Sequence, residues 1–281
     1  MTLRNTGASV RARLLSKARA DGLDFSWVLT RYALERLLYR LSVSSHRDNF
    51  LLKGALLFDL WFDVPLRPTR DIDLLGFGLA ELPHLTGVFE ALCQLDVDDG
   101  IRFDGATIEA QEIRKEANYA GIRLTLLAWI DSAKCSVQVD VGYGDAVTPA
   151  PEMADYPVML EGFAAPRLRV YPRYTVVAEK LDAIVSLGMA NSRMKDYFDL
   201  WVLLNRCELD PQILQQAVNA TMARRRTVVP VGLPLGLSDE FMADVQKNAQ
   251  WNAFIKRNAL QAPSLSEAVI SLRQSLSFIF V

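Results

Sequence analysis

Two aspartates separated by one residue, Asp71 and Asp73 in the run Thr69-Arg70-Asp71-Ile72-Asp73, carry the strongest local chemical signal in this 281-residue chain. The surrounding DIDLLGFG alternates charge and bulk with period two, as a strand does, so both carboxylates point to one face a few ångströms apart. Without a counterion they repel and one pKa rises. A divalent cation removes that conflict, and hard Mg²⁺ prefers carboxylate oxygens together with substrate phosphates. Asp140 lies in VQVDVGYG, an otherwise apolar strand where a charge is costly without a partner. If that strand neighbours DIDLL, three carboxylates converge, and such a trio can hold the two metals that clamp a nucleotidyl or phosphoryl transfer. Each piece also has a plainer reading. A D-x-D on a strand is often a solvated face, and a lone strand aspartate is more often an edge residue or a turn partner. Loop, D-x-D, hairpin and Asp140 together are more specific than any member.

A second cluster is Glu179-Lys180-Leu181-Asp182 followed by Arg193-Met194-Lys195-Asp196-Tyr197-Phe198-Asp199. Lys180 stands at the edge of an apolar helical stripe, and Asp196 and Asp199, three apart, share a helix face. A lysine so placed can reach a triphosphate as a point charge, with an aspartate holding it. The alternative is surface ion pairing, above all Lys195 with Asp199 at i, i+4. Aspartates among Phe198, Leu200, Trp201, Leu203 and Leu204 suit that alternative less well. A third feature is the run Arg224-Arg225-Arg226, with Arg11, Arg13, Lys17 and Arg19 near the N-terminus. Basic runs are usually solvated helix ends; beside phosphate chemistry they are also a surface for an RNA backbone.

The elements that must position these residues are legible in outline. Val10, Leu14, Leu15 and Ala18 recur at helical spacing, and Trp27, Leu34, Leu37, Leu38 and Leu41 form the stripe of a second helix with Ser26 as its N-cap. SVSSHRDNF breaks the pattern, and after FLLKGALLFDLWF the prolines of PLRPTR force a loop. A helix is expected around residues 84–95. RLTLLAWI and CSVQVDVGYG, separated by Asp131–Lys134, read as a hairpin. The proline-rich stretch 143–174 lacks helical periodicity and reads as a crossing between lobes. Residues 175–205 carry two helices split near Gly188–Asn191, helix predominates to the end, and VVPVGLPLGLS at 228–238 is a loop. The order is that of an α+β protein with a helical C-terminal lobe, divided as 1–148, a crossing at 149–174, and 175–281.

Composition bounds the function. The chain is 51% hydrophobic and 23% charged, which builds a sizeable core and excludes disordered and collagen-like classes. Thirty-one basic against 33 acidic residues leave a net charge of −2, unlike a globally basic nucleic-acid binder. Three scattered cysteines match no zinc or disulfide framework, and two histidines are too few for a His-based metal site. With no bilayer-length apolar run and no apolar stretch behind the basic N-terminus, the chain reads as cytoplasmic and without membrane association.

Taken together, FLLKGALLF, RPTRDIDLLG, VQVDVGYGDAVTP, YPRYTVVAEKLDAIVSLGMANSRMKDYFDLWVL and ATMARRR, behind a helical lead-in, resemble the AbiEii/AbiGii toxin family of nucleotidyltransferases, within the polymerase-β-like superfamily. The resemblance implies a short mixed sheet cradling NTP and Mg²⁺ (with Mn²⁺ as a substitute and room for two ions) and a helical lobe that helps close the site. Carried over, Asp71, Asp73 and Asp140 hold the metals and Lys180 engages the nucleotide phosphates. Asp196 is the aspartate of the family's lysine–aspartate pair, with Asp199 the second choice. Lys53-Gly54 lies where the superfamily places Gly-Gly or Gly-Ser; Ala55 lacks the usual hydroxyl, which Thr69 replaces.

The activity implied is that of the toxin in a toxin–antitoxin pair, with an antitoxin protein as partner and an association with phage defence. It transfers NMP from an NTP to an acceptor, the 3′ end of tRNA in some members. The alternatives are transfer to a protein or small molecule, or a non-catalytic nucleotide or RNA sensor.

Overall fold

A computed structural model describes residues 5–62, 67–114 and 120–280. Pro65 and Leu66 of the expected proline loop lie outside the described residues. The chain divides into two compact units, a sheet unit of residues 1–144 with 152–170 and a helical unit of residues 145–151 with 171–281.

The sheet unit begins with α1 (Thr6–Ala20) and α2 (Phe25–Val43). Ser26 does not cap α2. Asp24 does, its carboxylate accepting from the Trp27 amide at 2.8 Å and also from the Ser26 hydroxyl, because an ionised acceptor binds the free amides of a first turn more strongly than a hydroxyl. The strands follow as β1 (Phe50–Lys53), β2 (Asp71–Gly76), β3 (Ile101–Arg114), β4 (Ala120–Ile130), β5 (Ala133–Tyr143), β6 (Glu152–Asp155) and β7 (Arg167–Val170), with α3 (Phe58–Trp61) after β1 and α4 (Leu82–Gln94) after β2. They form one mixed sheet in the order β3-β4-β5-β2-β1-β7-β6.

β4 and β5 make the expected hairpin, turned by Asp131 (φ +55°) and Ser132 between the pair Ile130 and Ala133. β3 answers to no expectation; its alternation is interrupted by a register shift between Asp104 and Glu109. Residues 149–174 are more than a crossing. They supply β6 and β7, and β7 joins the sheet parallel to β1 through Leu52 and Val170.

Period-two alternation divides the sheet by face. Val137, Val139 and Val141 of β5 pair with Leu126, Leu124 and Ile122 of β4 on one face, all at most 3% exposed. Ile72 and Leu74 of β2 continue that face beside Val139 and Val141. Asp71 and Asp73 therefore fall on the opposite face, beside Gln138 and Asp140.

In the helical unit, α5 (Arg173–Leu187) and α6 (Met194–Arg206) are separated by a single 3₁₀ turn at Gly188–Ala190, as expected. α7 (Pro211–Arg225), α8 (Asp239–Ala243), α9 (Val245–Arg257) and α10 (Leu265–Leu276) complete it. Asp210 caps α7 just ahead of a proline at the first helical position, where the missing N–H costs nothing. Ser264 and Glu267 form a capping box on α10. Leu181 and Ile184 of α5, Tyr197, Leu200 and Leu203 of α6, and Leu214 and Val218 of α7 are buried in its core.

Candidate active site

In the sheet unit, register brings the acidic residues together. Asp73 on β2 stands directly beside Asp140 on the parallel neighbour β5, and Asp71 beside Gln138. The strand adjacency on which the third carboxylate depended is thus present. Thr69, buried just before β2, donates its hydroxyl to Asp71 Oδ1 at 2.7 Å, so it holds a carboxylate in place. Lys53, the last residue of β1, pairs in register with Asp73. Gly54 follows it at φ +77°, and a Cβ built there would lie 2.2 Å from Asp73 Oδ2. Only glycine combines that backbone conformation with that approach.

Asp140 has a partner that the sequence reading did not assign. Its two oxygens accept from Arg123 Nε at 2.8 Å and Nη2 at 2.9 Å, a fork-to-fork pair between register neighbours on β4 and β5. Gln138 Nε2 adds a longer contact at 3.4 Å. The hydrogen bonds that Arg123 donates to Asp140, and the fields of Asp140, Asp71 and Asp73, raise the Arg123 pKa against the opposing effect of burial. A signal for Arg123 existed in the sequence: it is the one charge in RLTLLAWI, on the polar side of the alternation.

As ligands for a hard cation, Asp71 and Asp73 fit. They are half-buried carboxylates two apart on one strand face, and the glycine backbone against Asp73 is the kind of close approach a side chain would fill. Asp140 is bridged to Arg123 through both oxygens, so as a ligand it would use the lone pairs that the guanidinium leaves. Among the described residues no group of three or more His, Cys, Asp or Glu forms a metal-ligand cluster.

In the helical unit, Lys180 on α5 reaches Asp196 Oδ1 at 2.9 Å and Asp199 Oδ2 at 2.7 Å, both on α6. Both aspartates are buried and the lysine side chain is 14% exposed. The surface pair of Lys195 with Asp199 does not form; Asp199 faces α5, and Lys195 is exposed. Arg193 is a second partner of Asp196 at 2.6 Å. Burial alone would push the Asp196 pKa up; Lys180 and Arg193 outweigh it and hold the carboxyl below its ordinary value.

The arginine run is not a uniform basic surface. Arg225 turns inward to Asp145 at 3.2 Å, Asp182 at 3.1 Å and Glu179 at 3.6 Å. Burial would lower its pKa, and the three carboxylates raise it instead. Arg226 forms the left-handed C-cap of α7 at φ +59°.

The sheet unit carries the D-x-D strand with a glycine turn against its second aspartate, and the helical unit by itself carries the buried lysine–aspartate pair; each is a feature of the nucleotidyltransferase family that the sequence resembles. Residues 36–273 match the family model described as nucleotidyl transferase AbiEii toxin of a type IV toxin–antitoxin system, and the chain belongs to that family. A nucleotide substrate and an antitoxin partner follow from membership. A protein from H. pylori named as a nucleotidyltransferase has a similar fold, at TM-score 0.52 and 15% identity over 92% of this chain and 96% of that one. JHP933 from Helicobacter pylori aligns at TM-score 0.48 and 15% identity over 87% and 88%. No curated protein matches the sequence. No helix among the described residues is long and apolar enough to cross a membrane.

Proposed function

We propose that this chain is a Mg²⁺-dependent nucleotidyltransferase that moves an NMP group from an NTP to the 3′ end of tRNA. The observation that supports this most directly is Asp71 and Asp73 on one face of β2, with the Gly54 backbone against Asp73. Those two carboxylates hold the metal. Mg²⁺, or Mn²⁺ in its place, supplies neutralisation of phosphate charge while the α-phosphorus is attacked. The hydroxyl oxygen of the acceptor forms a bond to the α-phosphorus, the bond to the bridging α–β oxygen breaks, pyrophosphate leaves, and the hydroxyl proton passes to solvent. Thr69 keeps Asp71 in the rotamer that faces the nucleotide, and Lys53-Gly54 lines the phosphate path with backbone rather than side chain. Lys180 offsets charge on the triphosphate, oriented by Asp196 and Asp199. The setting is cytoplasmic, as tRNA chemistry requires, and blocking the acceptor end of tRNA is the toxic act from which the antitoxin protects, with phage defence as the outcome for the host.

The test is incubation of the purified protein with each α-labelled NTP and total tRNA in Mg²⁺. Label is expected in RNA, for one nucleotide above the others. Label in the protein fraction or a small molecule would move the acceptor to that class, and no label with any NTP would leave a non-catalytic binder.

A further inference from the structure

Within the sheet unit, the polar face that carries Asp71 continues along the strands to a second group of side chains. Arg123, Thr125, Leu127 and Trp129 alternate along β4 on that face, and Trp129 stands in register between Arg102 of β3 and Lys134 of β5. The Arg102 guanidinium carbon lies 4.6 Å, and Lys134 Nζ 5.8 Å, from the centroid of the Trp129 ring. Both cations are exposed, and Arg102 meets the Asp104 carboxylate at 3.9 Å, a loose ion pair. A cation resting on an aromatic ring is held in place without being neutralised, so its charge stays available to an anion. Beside the ring is an open cavity of about 560 Å³, lined by Trp129 and Arg102 and by the carboxylates of Asp96, Asp98 and Asp131. That is the size of a small-ligand site. Phosphate alone would use the cations and leave the carboxylates facing it. A nucleotide whose base carries an amino group uses the ring, the cations and the carboxylates together. Asp71 shares a row with Gln138 and Thr125, and Trp129 lies four residues farther along β4. At about 3.4 Å per residue and about 4.8 Å between strands, the ring is about 17 Å from Asp71. A stacked strand covers that in about five nucleotides at about 3.4 Å each.

Resting on the RNA-directed reading above, we propose that this patch is the subsite for an unpaired nucleotide of the RNA acceptor, upstream of the reacting 3′ hydroxyl. The base stacks on Trp129, on the ring face that Lys134, the looser of the two cations, gives up. Its amino group donates to the carboxylates of the cavity, and Arg102 and Lys134 take the flanking phosphates. Bases with an exocyclic amino group are favoured there over uracil, which has none.

Binding of short, fluorescein-labelled oligocytidylate and oligouridylate to the full chain, followed by anisotropy in EDTA without NTP, tests this apart from catalysis. Both bases are pyrimidines, so the amino group is the difference read, and oligocytidylate is expected to bind about tenfold tighter. Trp129→Ala is expected to weaken oligocytidylate about tenfold, and Trp129→Phe, which keeps a ring, to stay within about threefold of wild type. Arg102→Gln changes an exposed side chain and is expected to lower the slope of log affinity against log salt by about 0.7, the mark of one lost phosphate contact. In the transfer assay, Trp129→Ala should raise KM for tRNA about tenfold and leave KM for NTP unaltered. Equal affinity for the two oligonucleotides, or wild-type binding by Trp129→Ala, overturns the subsite. Should Trp129→Ala not fold, Arg102→Gln decides alone, and an unchanged salt slope overturns it. RNA labelled by wild type alongside any of those results leaves the transferase reading standing. Oligonucleotide binding that depends on Trp129, with no RNA labelled from any NTP, upholds the subsite and fails that reading instead.

Discussion

The backbone of Gly54 passes so close to Asp73 that a methyl group on its Cα would stand 2.2 Å from Oδ2 of that carboxylate. The glycine at the end of β1 and the second aspartate of β2 are thus one structural unit, built by the antiparallel pair Lys53 and Asp73. Gly54→Ala is expected to cost about 1–2 kcal/mol from the positive φ alone and to push Asp73 out of place. Nucleotide transfer should fall roughly 100-fold, the scale of losing one preorganised group. Urea unfolding and label incorporation check the two effects; full activity in the variant would mean that Asp73 can move without consequence.

Asp71→Ala should abolish transfer, by roughly 100-fold or more, with the fold retained. Losing one of two like charges on a strand face relieves repulsion, so the melting temperature is expected to stay level or rise. Circular dichroism and thermal melting report the fold, and label incorporation the activity. Substantial turnover in Mg²⁺ would remove Asp71 from the site.

Lys180→Ala is expected to lose both activity and stability. Breaking a buried pair by removing one partner costs on the order of 3–5 kcal/mol, and Lys180 serves two buried aspartates. Because the stability loss alone would mask a catalytic one, Lys180→Arg and the double variant Lys180→Ala with Asp199→Ala are the informative pair. The double variant should be more stable than Lys180→Ala, since it no longer strips a lysine from the Asp199 carboxylate. Lys180→Arg should fold and still transfer poorly, because a planar fork does not replace a compact ammonium. Simple additivity of the two alanine changes would deny the coupling.

A pH effect of opposite sign to ordinary acid denaturation is expected from Glu35. This residue of α2 is 1% exposed; burial pushes its carboxyl up to about 7, against the Met159 amide, Arg36 and Arg31, while Asp99 adds to the rise. A folded-state pKa above the ordinary 4.5 means the folded protein holds the proton more tightly, so stability falls as pH climbs from about 4.5 to about 7. The full amplitude is on the order of 3 kcal/mol. Glu35→Gln should flatten that part of the profile, measured as urea midpoints near pH 5 and near pH 8. Asp196 acts the other way: with its pKa held below the ordinary value, its contribution is present above pH 3.8 and is lost as pH falls further. Parallel profiles for wild type and Glu35→Gln would show that Glu35 does not titrate in this range.

Much of this protein was determined by the sequence itself. Period-two alternation placed Asp71 and Asp73 on one face of a strand, because side-chain direction in an extended chain is a local property. The same logic found the β4–β5 hairpin, and helical periodicity with a glycine break found α5 and α6. The residues carrying the family resemblance were all in view. What tertiary structure alone decided were the partners. Asp140 meets Arg123 because β4 and β5 settle into one register, and Asp140 meets Asp73, with 66 residues between them along the chain, because β5 docks parallel to β2. Lys180 bridges Asp196 and Asp199 because α5 packs on α6, which turns away from solvent the aspartate that i, i+4 spacing would have given to Lys195. Arg225, one of three consecutive arginines, faces inward because its position on α7 meets the carboxylates of α5. β6 and β7 were hidden for the same reason: strands of four residues among prolines carry too little periodicity to be read, and they become part of the sheet only because β6 pairs with β7 and β7 with β1. Charge and spacing are written along the chain; which charge neutralises which is set by non-local packing, where burying an ion without its partner costs too much to be tolerated.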